Sequence, residues 1–289
     1  METDLLDSDI ENEVKFRMGY WYNNPVKINI SDYTNKSNYI KDIVDYQDDG
    51  IHDSANKKID CFRSFRPYEG IFPISISDAP KRDKEKILLF NFARHNDDLY
   101  TILWNRTHWY YFDKSRVKDN LTFKDKKPTV LFRGTGHHIR YAYDYLSKLD
   151  FVDFGYTYYP FKSSVVKPII SKAEMLENKY LLCLEAQTFS STFTWVLFTN
   201  SICIAPEFNW QTIYHYQLKP WVHYVPLKQD GSNLEEVFNI LENNQELCQN
   251  ILQNAKKLVS RLAIREREHT IQKRIVEIYN NSIVTETKG

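Results

Sequence analysis

The sequence predicts an α/β protein, and three observations carry that prediction. Apolar, strand-like runs recur from residue 70 onward, segments with helical spacing alternate with them, and a strongly charged stretch at 117–127 divides the pattern into two halves.

The first sixty or so residues are polar, rich in Asn and Asp, and weakly periodic, which predicts short helices and loops packed on the edge of a first domain. Strand signals begin at Gly70. IFPISISDAP alternates and breaks at Pro80, so 72–77 reads as a strand with Asp78 at its end. KILLFNFAR is a dense apolar run of the kind covered on both faces. Residues 96–104 read as helical, and THWYYF (107–112) as a short strand. VKDNLTFKDKK (117–127), followed by Pro128, is the linker.

The second half opens with TVLFRGTG, a strand running into a glycine-containing turn, and 137–148 reads as a helix after it. A strand, tight turn and helix in that order is how a nucleotide-binding half begins. KYLLCLEAQ reads as a buried strand, SSTFTWVLFTN as a helix with Ser190 or Ser191 at its N-cap, and SICIAP as the next strand. HYQLKPWVHYVPL supplies a loop and a short strand, and from NLEEVF to IYNN apolar residues at three-and-four spacing predict helices.

The 289 residues allow two modest domains or one large one. Lys plus Arg and Asp plus Glu both total 38, so the basic excess that a nucleic-acid partner demands is missing. Twenty Tyr, seventeen Phe and six Trp fill cores first and can then wall pockets for flat ligand faces. Cys61, Cys183, Cys203 and Cys248 form no CxxC pair, which leaves no zinc or thioredoxin-type signature. Asp7-Ser-Asp9 is an Asp-x-Asp in a polar tail with no strand before it, FRGTG lacks the length and lysine of a P-loop, and neither GxSxG nor HExxH occurs. METDLLDSDIENEVKF has neither the basic start nor the apolar core of a secretory signal, no run is long and apolar enough to span a membrane, and VTETKG is not a retention signal. These features predict a cytoplasmic protein.

The most informative stretch is YQLKPWVHYVPL (216–227), with three aromatics, a His, a Lys and two prolines. Alone it reads as a rigid aromatic loop. QLKPWVHYVPLK followed by SNLEEVF, however, resembles the CAP10-like protein O-glucosyltransferase family, which includes bacterial lipopolysaccharide-core and fungal capsule-associated glycosyltransferases. KYLLCLEAQTFSSTFTWVLFTNSICIAP is similar to that family's nucleotide-binding strand–helix–strand, and TVLFRGTG to the Phe-Arg-Gly strand opening its second domain. ISISDAP, followed by LLFNFARHNDDLYTILWNRTHWYYF, resembles the first-domain strand that carries the catalytic aspartate. Order and spacing agree over residues 70–260.

The resemblance implies a GT-B fold, with two Rossmann-like domains facing across a cleft. It divides the chain into an N-terminal acceptor-side domain (1–125), a C-terminal nucleotide-sugar-binding domain (126–260) and a C-terminal helix (261–289). It also implies a UDP-sugar donor, inversion at the anomeric carbon, no metal and no cofactor beyond the donor. Such chemistry needs one base to deprotonate the acceptor hydroxyl while the diphosphate leaves from the opposite face. Asp78 matches the family's base, although Asp before Ala-Pro, read from the residues alone, caps a turn. Gly134 and Thr135 match the donor-binding turn, and Arg140 lies one residue out of register with a diphosphate-binding arginine. Arg133 is the motif arginine, as a ligand or as a salt bridge ordering the turn, with His137 and His138 nearby.

Glu185 either holds a sugar hydroxyl or anchors the following helix. Where the family helix carries an Arg or Lys, this chain has Thr192 and Thr194; Ser190, Ser191 and Thr192 still offer hydroxyls to the phosphates. Trp221, His223 and Tyr224 read as part core and part cleft wall, and Lys219 reads as either a phosphate ligand or a surface residue. The implied partners are a UDP-sugar and a glycan or glycolipid acceptor such as lipopolysaccharide core, with peripheral contact at the inner membrane face. Two alternatives stay open: transfer to a protein hydroxyl, and a non-catalytic member that binds sugar nucleotide, which the absent helix cation favours.

Overall fold

The computed structural model describes residues 2–24, 88–105, 118–158 and 165–282, together with residues 65, 67, 68 and 72 and the pairs 27–28, 39–40, 74–75 and 284–285. Asp78 and residues 107–112 lie outside the described residues. Two compact units form. Unit one comprises Met1–Trp109, Trp210–Tyr216 and Ile264–Gly289, and unit two comprises Tyr110–Asn209 and Gln217–Ala263.

In chain order the elements begin with α1 (Glu2–Met18), β1 (Lys27–Ile28), β2 (Tyr39–Ile40), β3 (Ile74–Ser75), β4 (Leu89–Asn91), β5 (Arg94–His95) and β6 (Thr101–Leu103). There follow β7 (Lys127–Thr135), β8 (Val152–Tyr158), α2 (Lys172–Met175), β9 (Asn178–Leu182), α3 (Ser191–Val196), β10 (Ile202–Pro206) and β11 (Trp210–Gln211). The chain ends with β12 (Val225–Leu227), α4 (Leu234–Glu242), α5 (Gln245–Leu262), α6 (Arg265–Ser282) and β13 (Val284–Thr285).

Unit two is a five-stranded parallel sheet in the order β12-β10-β9-β7-β8. Numbered from β7, the strands run 2-1-3-4-5, the order of a doubly wound α/β sheet whose winding reverses between its first and third strands. Its strands read as near-continuous apolar runs because both faces are covered. Val130, Phe132, Phe154, Tyr180, Leu182, Ile202, Ile204 and Val225 join one core with Leu234, Val237 and Leu241 of α4 and Ile251 and Leu252 of α5. Within the charged stretch, the buried Lys126 ammonium bonds to Asp119 (2.9 and 3.0 Å) and to the Leu176 carbonyl, which pins the approach to β7.

Two helical readings are corrected in this unit. Residues 137–148 form a 3₁₀ run (Arg140–Lys148) instead of an α-helix. The Tyr156 hydroxyl donates to the Arg140 carbonyl (2.7 Å) and so draws the first acceptor of the run away from an α-helical partner. SSTFTWVLFTN is helical only as far as Val196, where the Thr199 hydroxyl and amide both bond back to the Val196 carbonyl. Ser190 takes the N-cap position, without a side-chain capping bond.

Unit one has a four-stranded sheet in the order β2-β3-β4-β6, parallel from β3 to β6. Residues 96–104, read as helical, instead form a turn and then β6. The Asp98 carboxylate accepts the amides of Tyr100 (2.8 Å) and Thr101 (3.1 Å), a local alternative to helical bonding that delivers Thr101–Leu103 to the sheet. Phe65, Phe72, Phe90, Trp104 and Tyr279 form an aromatic core, with Phe65 stacked on Trp104 at 4.2 Å between centroids.

The polar N-terminus also departs from expectation, since it forms one long helix. The buried stripe runs through Glu13, Val14, Arg17 and Met18 of α1, two of the four charged, and on to Trp21, and an apolar-periodicity reading does not register it. Arg17 bonds Glu13 (Nε, 2.9 Å) and meets Glu268 of α6 with both terminal nitrogens (2.7 and 2.6 Å), and Arg267 pairs with Asp9 (2.7 Å) and Glu13 (2.5 Å). Asp9, half of the Asp-x-Asp, therefore works as a structural anion. Arg94 closes the helix by donating to the Phe16 and Arg17 carbonyls (2.8 and 3.2 Å), placing a cation where the helix dipole is negative. Gly19 turns the chain at φ +56, and a Cβ there would come within 2.5 Å of Arg94 Nη1.

His215, in the 3₁₀ turn Ile213–His215, accepts the Thr212 amide at Nδ1 (2.9 Å), and burial pushes its pKa from 6.5 down to about 4. The folded state thus holds the ring neutral while the unfolded chain protonates near 6.5. Below that pH the unfolded state binds more protons, so stability should fall as pH drops from 6.5 to 4 and level off beneath. The size is about 3 kcal/mol. Urea unfolding of the wild type and His215→Gln between pH 7 and pH 4 checks this, because the variant should lose much of that slope.

Candidate functional site

In a doubly wound sheet the chain leaves adjacent strands in opposite directions where the winding reverses, and a crevice opens beyond their carboxyl ends. In unit two that point lies between β7 and β9, so the ends of TVLFRGTG and KYLLCLEA meet there.

Arg140 organises the place. Its Nη1 donates to the Thr135 carbonyl (3.0 Å), its Nη2 to Leu184 (2.7 Å) and its Nε to Glu185 (3.1 Å), so one guanidinium bridges both strand ends. It lies over the Phe132 ring at 5.4 Å, and the residue is 7% exposed. Gly134 makes room: a Cβ there would sit 3.0 Å from Arg140 Nη1 and 3.1 Å from the Phe132 ring. Burial lowers the Arg140 pKa to about 10. Its partners are carbonyl oxygens, and among the described residues no carboxylate pairs with it.

Thr135 is exposed at the end of β7. Glu185 follows β9, and its Oε2 accepts both the amide and the side-chain nitrogen of Asn209 (3.0 Å each), which ties the end of β9 to the turn after β10. Ser190 is buried at the start of α3, Ser191 is exposed and Thr192 half-buried. Thr194 points inward, 1% exposed, with its hydroxyl on the Ser191 carbonyl (2.8 Å). Of the two positions lacking the family's cation, only Thr192 retains access to solvent.

Arg133 sits apart from this cluster. Its Nη2 meets the Asp153 carboxylate (2.6 Å) and its Nη1 the carbonyls of Asp153 (3.0 Å) and Phe132 (2.9 Å), so it fastens β7 to β8. The His137 and His138 rings lie 4.1 Å apart, and burial, His138 and Arg140 together hold His137 below the usual histidine range. Trp221 and His223 precede β12, at the opposite end of the sheet from the crevice, which removes them from a cleft wall there.

The structure therefore brings Gly134, Thr135, Arg140 and Glu185 together and leaves Arg133 bonded to Asp153 of the edge strand β8. Asn209 was not foreseen, since it lies in an irregular turn with no spacing pattern that links it to Glu185. No group of His, Cys, Asp and Glu suited to a metal occurs among the described residues, and no described helix is long and apolar enough to cross a membrane.

Comparison with known proteins gives this geometry a context. Residues 104–267 match the sequence profile of glycosyl transferase family 90. The chain is 29% identical over 158 residues to O-glucosyltransferase LpsA of Dichelobacter nodosus, an alignment covering 52% of this chain and 48% of that protein. It is 27% identical over 101 residues to protein O-glucosyltransferase 1 of Homo sapiens, covering 34% of this chain and 26% of the relative. A 71-residue stretch, 25% of the chain and 6% of the relative, is 39% identical to uncharacterized protein 179R of invertebrate iridescent virus 6. The aligned region thus spans half or less of each of these relatives. The family match takes in the whole β7–β12 sheet and more than half of the residues, and on that ground the chain belongs to glycosyl transferase family 90.

Proposed function

We propose that the protein is a glycosyltransferase that moves a sugar from a UDP-sugar to a hydroxyl of a surface glycan such as lipopolysaccharide core, with inversion and without a metal. The observation that carries this reading is Arg140, a desolvated cation at the switch point whose partners are neutral carbonyls. A buried charge without a counter-ion is costly, and an anion that docks beside it removes that cost. The leaving diphosphate supplies such an anion as its charge develops. Three of the five guanidinium donors are used, which leaves one on each terminal nitrogen to meet phosphate oxygens.

In this reading Gly134 and Thr135 border the diphosphate, Ser190–Thr192 add hydroxyls, and Glu185, oriented by Asn209, holds a ribose or sugar hydroxyl. Arg133 orders β7. Asp78 is the base, contributed by the acceptor-side half of a GT-B pair divided near residues 125 and 260. The resemblance over residues 70–260 and the matches to O-glucosyltransferases support these assignments. The animal relatives, named for transfer to protein, favour a second reading in which the acceptor is a protein hydroxyl.

UDP release from a panel of UDP-sugars, with glycan and protein acceptors, tests the reading. Arg140→Met should lose roughly a hundredfold in UDP release. Arg140→Lys, which keeps the charge, should recover part of it, with folding of both variants checked by thermal melts. Equal release by wild type and Arg140→Met would remove Arg140 from the diphosphate. No release from any donor would overturn the transferase reading, and stabilisation by UDP alone would then point to a binding protein.

A further inference from the structure

The segment between Tyr216 and β12 plays no part in the proposed chemistry, yet it is built with unusual care. Gln217 and Trp221 both adopt φ +60, a backbone region that suits Gly or Asn and crowds a bulky side chain. Main-chain bonds lock the loop: Trp221 N to Tyr224 O (2.8 Å), His223 N to Lys219 O (3.0 Å), and Lys219 N to the His223 ring (2.9 Å). Gln217 is held by Arg261 of α5 (2.5 Å). What this rigid loop presents is apolar. Trp221 and Val222 are each 37% exposed, whereas Trp21, Trp104, Trp195 and Trp210 are all buried.

Cations stand beside the tip. Burial lowers the pKa of half-buried His223, and the nearby Lys219 and Arg261 lower it further. Lys257 lies one turn before Arg261 on the same face of α5 and is exposed. An indole beside an aliphatic side chain, rimmed by Lys and Arg, is the composition that settles at the boundary between headgroups and acyl chains of an anionic bilayer. An anionic bilayer meets both features at once, with acyl chains for Trp221 and Val222 and phosphates for the cations.

We propose that this loop is a membrane-docking tip, in which Trp221 and Val222 enter the interface of an anionic lipid surface while Lys219, Lys257 and Arg261 meet its headgroups. It lies at the amino end of β12, across the sheet from the Arg140 crevice, so docking leaves that crevice open. Its purpose, bringing the enzyme to a membrane-borne acceptor, rests on the proposed function, whereas docking itself requires no turnover.

The test is co-sedimentation of the whole chain with phosphatidylcholine vesicles, with and without phosphatidylglycerol, in the absence of any donor. We expect retention only on the anionic vesicles and release at high salt. Trp221→Gly and Lys219→Glu should each reduce binding about tenfold. Glycine takes φ +60 without strain, so Trp221→Gly keeps the loop folded. Brominated phosphatidylcholine mixed into the anionic vesicles should quench indole fluorescence in the wild type and much less in Trp221→Gly. Absence of binding to anionic vesicles, or equal binding by wild type and Trp221→Gly, overturns the proposal, as does retention by immobilised saccharides without any vesicle binding. UDP release is scored in a separate assay, so loss of the transferase reading and loss of the docking tip are told apart.

Discussion

Asp78→Asn is expected to release UDP from its best donor roughly a hundredfold or more slowly than the wild-type protein, with the donor KM little changed. The substitution keeps the size of the side chain and much of its hydrogen bonding, and it removes only the ability to accept a proton. If Asp78 takes the proton of the acceptor hydroxyl, the loss appears in kcat, because the base acts in the transition state and not in donor binding. A turn-capping aspartate predicts the opposite pattern, with turnover nearly intact and a modest fall in melting temperature. Equal turnover by the two proteins would dismiss Asp78 as the base while leaving family membership untouched.

The second large effect concerns stability. Arg17→Met should destabilise unit one by about 3–5 kcal/mol, the range found when one partner of a buried ion pair is removed. Arg17 and Glu13 are each 0% exposed, and Arg17 is the group that holds Glu13 and Glu268 together. Methionine fills much of the volume but takes the guanidinium from Glu268 and leaves Glu13 to share Arg267 with Asp9. Denaturant unfolding followed by tryptophan fluorescence, to which buried Trp21 and Trp104 report on this unit, measures the loss. Restoring charge balance in the double variant Arg17→Met, Glu268→Gln should recover a substantial part. A fall below about 1 kcal/mol would mean that the network is hydrated enough to act like a surface pair.

The same network explains why half of the fold was legible in the sequence and half was not. Strands β7, β9 and β10 announce themselves because a sheet covered on both faces writes its burial as uninterrupted apolar runs. α1 does not, because Glu13 and Arg17 occupy positions where an amphipathic pattern requires Leu or Ile. The turn into β6 was hidden for a related reason: the Asp98 carboxylate decides it, and periodicity is blind to one side chain. At the candidate site, Gly134, Thr135, Arg140 and Glu185 were marked by motifs that lie on the strands and turns meeting at the switch point. The carbonyl partners of Arg140 and the grip of Asn209 on Glu185 are tertiary facts without a local signature.

The pairing of α1 with α6 also bears on how the chain is made. Arg17 and Glu268 stand 251 residues apart, so α1 leaves the ribosome long before its partner exists. Closing so long a loop costs entropy, and the contacts that reward closure are buried charges, which resist desolvation until every member has arrived. The parallel sheet of unit two, from β7 to β12, emerges in the interval and can consolidate first. Unit one is then the late-assembling part of the molecule. Until α6 arrives, the nascent chain carries α1 with its Glu13–Arg17 pair in water and Val14 and Met18 uncovered, a state suited to chaperone capture and one that a ribosome stalled before α6 would prolong.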